Sequence, residues 1–355
     1  MKTTSLRIGL VLGAALLVGQ GCIIGSSVNP SDGSVWRSAN AGDTFMQLAT
    51  LPEATGAASI QGVNVTSLEI DPSDPSAYYM GTTGNGLFTS LDAGDTWSRP
   101  EHKKLREGYI VETEVDPNNV CTAYIALPQE IVKTTDCLRS ISTVYTEVRD
   151  EVAISTFEMD WFNSEILWLG TTEGDVIRSL DGGLTWATSL KMKDEVSSLI
   201  VSNADSRVVL VGTEDYGYYR TVDAGASWVE HEDDLRREWP EADEVFGFTQ
   251  TRRGDVLLMN TQFGLLRSYD AGASWEAVNI IAPGDESRIW SIATGQTEDD
   301  RELIYYATTG ALYVSSNAGA SWEVKDLPST RAPRVLRVHP SAGTNILVGF
   351  AVVED

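Results

Sequence analysis

The segment Val65 to Ile70 (VTSLEI) alternates apolar and polar positions, Asp71-Pro72-Ser73-Asp74-Pro75 interrupts it, and Ala77 to Thr83 begins a second run. Gly84-Asn85-Gly86 turns the chain again, Leu87 to Ser90 gives a third run, and Trp97 opens a fourth. Period-two alternation bounded by Gly, Pro, Asn and Asp predicts short antiparallel strands joined by hairpins. The same order returns over 109–146, 154–190, 196–231, 244–280 and 289–325, with first strands such as Val196 to Val201 and second strands such as Arg207 to Thr213. Six complete four-stranded units are therefore expected. After Trp322 the pattern offers only strands at Arg334 to His339 and Asn345 to Phe350. Val35 to Arg37 and Phe45 to Leu48 stand unassigned at the other end of the chain. Two strands from each end would complete a seventh unit and close a ring without free sheet edges. The expected fold is all-β, a seven-bladed propeller over 34–355.

Between the third and fourth strand of each unit lies an octapeptide of the form Ser-x-Asp-x-Gly-x-Thr-Trp. Ser179 to Trp186, Ser90 to Trp97, Thr221 to Trp228 and Ser268 to Trp275 keep it, with Asp181, Asp92, Asp223 and Asp270 at the acidic position. Ser315 to Trp322 and Ser38 to Phe45 carry Asn317 and Asn40 there instead. Thr134 to Ile141 is decayed, keeping Asp136 but replacing Gly by Leu138 and Trp by Ile141. The copies start at 38, 90, 134, 179, 221, 268 and 315, and a repeat of 40 to 50 residues indicates a propeller or solenoid.

This octapeptide resembles the Asp-box, or bacterial neuraminidase repeat, and the resemblance covers the whole chain after the leader. In that family the box forms the outer hairpin of a propeller blade. Its hydroxyl and carboxylate are suited to accept loop N–H groups, its glycine to take a strained backbone, and its Trp to bury surface between blades. Calcium or catalytic roles fit poorly, because no box supplies the oxygen set of a calcium loop and one residue set recurs seven times. Cys121 falls opposite Cys137 when 121–137 is folded as a hairpin, so a disulfide is expected to staple the blade that lacks its Trp.

Charge and leader change the picture next. Lys2 and Arg7 precede an apolar run from Ile8 to Val18, and Gly19-Gln20-Gly21 leads to Cys22. The run is too short for a spanning helix and reads as an export signal over 1–21. It resembles a lipoprotein leader, which implies acylation of Cys22, a tether over 22–33 and a place in the cell envelope. Without Lys2 and Arg7 the chain has 24 basic against 51 acidic residues, a formal charge of −27. Such a field disfavours nucleic acid and leaves the lipid anchor as the only membrane contact expected.

The face opposite the boxes is where a ligand is expected. His231 to Glu244 is the longest connection and carries Arg236, Arg237 and Trp239; Glu101 to Tyr109 is a basic island with Lys103 and Lys104. Tyr216, Phe263 and Trp290 are expected on the same rim, and Trp and Arg on exposed loops are typical anchors. Asp-box sialidases need an early Arg-Ile-Pro, an arginine triad and a Tyr–Glu pair; here the nearest tripeptide is Arg331-Ala332-Pro333, far from the start. Asp-box xyloglucanases use two propellers, and where they have a catalytic Asp this chain reads Gly81-Thr82-Thr83-Gly84. No carboxylate pair spaced for glycoside hydrolysis can be nominated. His102, His231 and His339 show no metal-ligand or triad spacing. The blade pattern is similar to single-propeller photosystem II assembly factors and to sortilin receptors. That implies a monomeric, cofactor-free, non-catalytic scaffold for a protein or peptide in the envelope, with a glycan-binding or glycoside-hydrolase propeller as the alternative.

Overall fold

The structure, a computed structural model, describes residues 31–53, 56–281, 288–297 and 299–353. The leader, Cys22 and most of the tether lie outside those residues. Seven antiparallel sheets follow one another around a ring. Blade 1 comprises Val65–Ile70, Tyr78–Thr82 and Leu87–Ser90, with its fourth strand reduced to one bridge between Thr89 and Ser98. Blades 2 to 6 have four strands each, their first strands being Glu112–Val115, Ile154–Met159, Val196–Val201, Val245–Gln250 and Ser291–Gln296. Blade 7 joins Ala332–Val338 and Ile346–Ala351 to Ser34–Ser38 and Met46–Leu48, in the order 46–48, 34–38, 346–351, 332–338. Two strands from each end of the chain thus close the ring, because each blade must bury both faces against neighbours. An additional hairpin, Thr50–Glu53 with Gly56–Ser59, links blade 7 to blade 1.

The closure is reinforced by charge. Arg331, just before the first strand of blade 7, donates from Nε to Asp32 at 3.0 Å, with both side chains buried. Its Nη1 reaches the Gly62 carbonyl and Asn64 Oδ1. Arg331 in the tripeptide considered above therefore ties both ends of the chain to blade 1.

First strands line the central channel, and each is an edge whose inward polar groups need partners. A recurrent hydroxyl solves part of this. Thr66, Ser155, Ser197 and Ser291 each donate to a carbonyl of the next blade, at Ile110, Val196, Val245 and Pro333, over 2.5–2.6 Å. Close approach also explains glycine on the second strands. A Cβ on Gly170 would lie 2.4 Å from Val196 Cγ1, and on Gly212 2.6 Å from Val245 Cγ1.

The repeated octapeptides form one hairpin type. In Ser179–Trp186 the Ser179 hydroxyl donates to Asp181 Oδ1 at 2.8 Å and accepts from Gly183 N at 2.9 Å; Asp181 accepts Thr185 N and Oγ1 at 2.8 and 2.6 Å. The carboxylates are consumed by their own turns, and the Thr185 hydroxyl holds Asp181 below the usual carboxylate range. The Trp anchors differ from expectation. Trp97 is 1 % exposed, whereas Trp186, Trp228, Trp275 and Trp322 are half-buried. Each indole donates to the preceding blade, for example Trp186 to Val144 O at 2.8 Å and Trp322 to Asn279 O at 2.7 Å. The hairpins lie at the ring's outer margin, where only one side of the indole finds protein.

The decayed copy corrects a second expectation. Leu138 takes φ +64° in place of glycine, yet its N–H still reaches Thr134 Oγ1 and Ser140 N still reaches Asp136. The turn is kept, and Leu138 fills the missing packing as a buried neighbour of Val132 and Ile141. A disulfide joins Cys121 to Cys137.

Candidate binding site at the mouth of the central channel

Antiparallel order places the turns after first strands on the same face as the octapeptide hairpins. The connections between second and third strands, and between blades, lie on the other face. All eight residues nominated from sequence belong to connections on that other face, but they fall into three places.

The first is over blades 4 and 5. Residues 231–244 are not the open loop expected: Glu232–Glu238 is a short helix whose Leu235 is buried. Leu235 and Ala242 join a core cluster that Trp239 also packs against. Trp239 lies 6.5 Å from Phe263, which is 40 % exposed. Arg236 is held by Glu232 at 2.5 Å and Asp243 at 2.6 Å, and also reaches the Asp215 carbonyl beside Tyr216. Arg237 pairs with Asp234 at 2.5 Å. These guanidiniums are engaged by their own helix and its return, so this patch offers aromatic surface more than free charge. The second place is the turn Lys103–Leu105, where Lys104 pairs with Glu130 at 2.7 Å.

Trp290 is the third, at the upper mouth of the channel. Its Nε1 donates to Thr309 Oγ1 at 3.0 Å. Arg288 and Arg334 lie 4.8 and 4.9 Å from its ring centroid, and Arg288 is 4.4 Å from that of Phe246. Tyr109, 44 % exposed, completes the rim. Sequence reasoning found Trp290 but not its partners. The only local signal is Arg288-Ile-Trp290 opening blade 6, and Arg334 comes from blade 7.

Below the mouth, a cavity of about 550 Å³ runs between the first strands. Its wall carries Glu69, Glu112, Glu114 and Glu158, none of them nominated from sequence. Glu69, Glu114 and Glu158 occupy one ring position, two residues before the Asp that ends each first strand, and Arg337 occupies it in blade 7. That recurrence, E-x-D at 69–71, 114–116 and 158–160, was the available signal. Burial is the largest cause raising all four carboxyls. Glu69 is pushed up to about 7, with Arg337 opposing the shift and Glu112 and Asp71 adding to it. Glu112 is raised, opposed by Arg337 and by the Phe157 N–H at 3.4 Å. Glu114 and Glu158 are raised further by neighbouring glutamates. Near neutral pH Glu69 is divided between its protonated and ionised forms, so this wall can both donate and accept hydrogen bonds. Among the described residues, no group of three or more His, Cys, Asp or Glu is arranged to hold a metal ion.

No protein-family model matches the chain. A xyloglucanase of a Paenibacillus species is 28 % identical over 165 residues, which is 45 % of this chain and 14 % of that enzyme. The Acetivibrio thermocellus xyloglucanase Xgh74A is also 28 % identical, over 44 % of this chain and 16 % of its own length. The chain therefore spans a small fraction of the curated relatives it matches. Among solved structures, the GH74 xyloglucanase of Xanthomonas campestris superposes with TM-score 0.64 and 15 % identity, covering 89 % of this chain and 52 % of that one. YCF48 from Cyanidioschyzon merolae gives 0.61 and 13 %, covering 81 % and 96 %. A YCF48 structure bound to D1 peptide gives 0.60 and 15 %, covering 82 % and 93 %. These likenesses show the fold.

Proposed function

We propose that this chain is a non-catalytic binding scaffold that captures a protein or peptide partner on the face opposite the octapeptide hairpins. The carrying observation is the upper mouth, where the exposed Arg288, Arg334 and Tyr109 and the half-buried Phe246 and Trp290 border a carboxyl-lined channel. Arg and large aromatics at a concave mouth are the residue types that dominate protein interfaces. Architecture supports the reading: one closed ring corresponds to nearly all of a YCF48 chain, one of which is bound to a peptide, but to about half of the X. campestris xyloglucanase. The exposed surface around Tyr216, Phe263 and Trp239, with Arg236 and Arg237, is a second contact area, and Lys103 and Lys104 border the rim. The octapeptides are the structural Asp-boxes of this group, and acylated Cys22 holds the propeller at an envelope membrane as a monomer.

A carbohydrate-binding or hydrolytic role is the second reading, favoured by the xyloglucanase identity of 28 %. Affinity capture from envelope extract with residues 26–355 separates the two. A polypeptide retained by the folded protein, and lost when Trp239 and Arg236 or Trp290 are replaced, is the expected result. Retention of glycan alone, or release of reducing ends from xyloglucan, would replace the scaffold reading. Cys22→Ala should move the chain from the membrane to the soluble fraction.

A further inference from the structure

We infer that the upper mouth of the channel, between blades 5, 6 and 7, is a carboxylate pocket for a peptide, with Arg288 and Arg334 holding the anion and Asn260 receiving a neighbouring N–H. This rests on the peptide-binding reading above and says which chemical group the pocket takes. Neither arginine has an ion pair with an acid among the described residues, although the chain as a whole is strongly acidic. Both lie against aromatic rings, which engage a guanidinium through its face and leave its edge N–H donors for a planar acceptor. Their like charges add to the burial that lowers Arg334, so an entering anion relieves a repulsion the protein has built in.

Asn260 supplies the independent observation. It is 3 % exposed and lines the same cavity. Its Nδ2 donates to the Ile289 carbonyl at 3.1 Å, which fixes the amide orientation. Oδ1 is then a buried acceptor with no donor. Its register partner on the first strand is Gly247, where a Cβ would meet nothing within 4 Å. In blades 3 and 4 the glycine sits on the second strand instead, against the next blade's valine. Blade 5 has therefore opened space in front of an unpaired amide oxygen. A buried acceptor left unpaired is costly and calls for a donor from a ligand. A peptide carries a carboxylate and a backbone N–H a few bonds apart. A fully ionised phosphomonoester supplies charge but no donor for that oxygen.

The shared chemistry can come from a chain terminus or from an acidic side chain. Three random peptide libraries distinguish these: free C-termini without Asp or Glu, amidated C-termini with Asp and Glu, and amidated C-termini without either. Each is selected against the exported full-length protein and its Arg334→Gln and Arg288→Gln variants, with melting temperature confirming the fold. Enrichment from the first or second library, weakened at least tenfold by either substitution, is expected; the enriched library names the source of the carboxylate. Enrichment only from the third library, or affinity unchanged in both variants, overturns the pocket while leaving peptide binding standing. No enrichment from any library removes the peptide-binding reading and this inference with it.

Discussion

Replacing Glu69 by Gln should make the propeller more stable above neutral pH. Glu69 lies on the channel wall with its carboxyl pushed up to about 7 by burial, against Arg337 and beside Glu112 and Asp71. Between pH 4.5 and 7 the folded chain keeps this proton while the unfolded chain has lost it. Stability from this group is therefore complete below about pH 4.5 and falls as pH rises through 7. A shift of that size corresponds to on the order of 3 kcal/mol at pH 8. Glutamine copies the protonated shape without the ionisation, so the variant escapes that loss. Glu112, Glu114 and Glu158 shift in the same direction, so wild-type stability should decline between about pH 4.5 and 7. Below that window the lowered hairpin and ion-paired acids act with opposite sign, Asp223 and Glu147 both being held near 2 by hydrogen bonds to Ser227 and Arg149. Urea unfolding at pH 5, 6, 7 and 8 measures both chains. Wild-type stability that rises or stays flat across this window, or a Glu69→Gln chain less stable than wild type at pH 8, would refute the burial argument.

Three other perturbations test the frame. Asp32→Ala removes the buried carboxylate that Arg331 Nε bonds at 3.0 Å, and should cost about 3–5 kcal/mol in urea unfolding; a cost below 1 kcal/mol would mean the ring does not depend on this tie. Trp97→Ala should cost roughly 3–5 kcal/mol and Trp322→Ala only about 1–2 kcal/mol, since the first is enclosed and the second half-buried; equal losses would count against reading anchor strength from burial. Thiol titration of unfolded, unreduced protein should find no free thiol at Cys121 or Cys137, and reduction should lower stability by about 3 kcal/mol for a loop of this length; two titrating thiols at those positions would end that assignment.

Much of the fold was legible because its cause is periodic. Alternation within Val65–Ile70 or Val196–Val201, and an octapeptide returning every 42 to 52 residues, state the strand order and the blade number directly. The missing half-blade after Trp322 and the spare strands before Phe45 implied the closure of blade 7. Local chemistry was legible too, since Ser179, Asp181, Gly183 and Thr185 bond to one another within one turn. The helix Glu232–Glu238 was not, because its single buried Leu235 gives no periodic stripe. The glutamates of the channel were missed for a different reason. Alternation says which face of a blade a residue occupies, but only the closed ring makes the first strand's inner edge into a shared wall. Glu69, Glu114 and Glu158 each resemble a solvated strand residue until three blades bring them together, and their raised pKa values exist only in that company. Trp290 and Arg334 likewise belong to different blades. Strand alternation and the recurring octapeptide already state how many blades form and what clasps each one. Tertiary structure alone decided where charge and buried polar atoms converge, because convergence around an axis is a property of the ring and not of any strand in it.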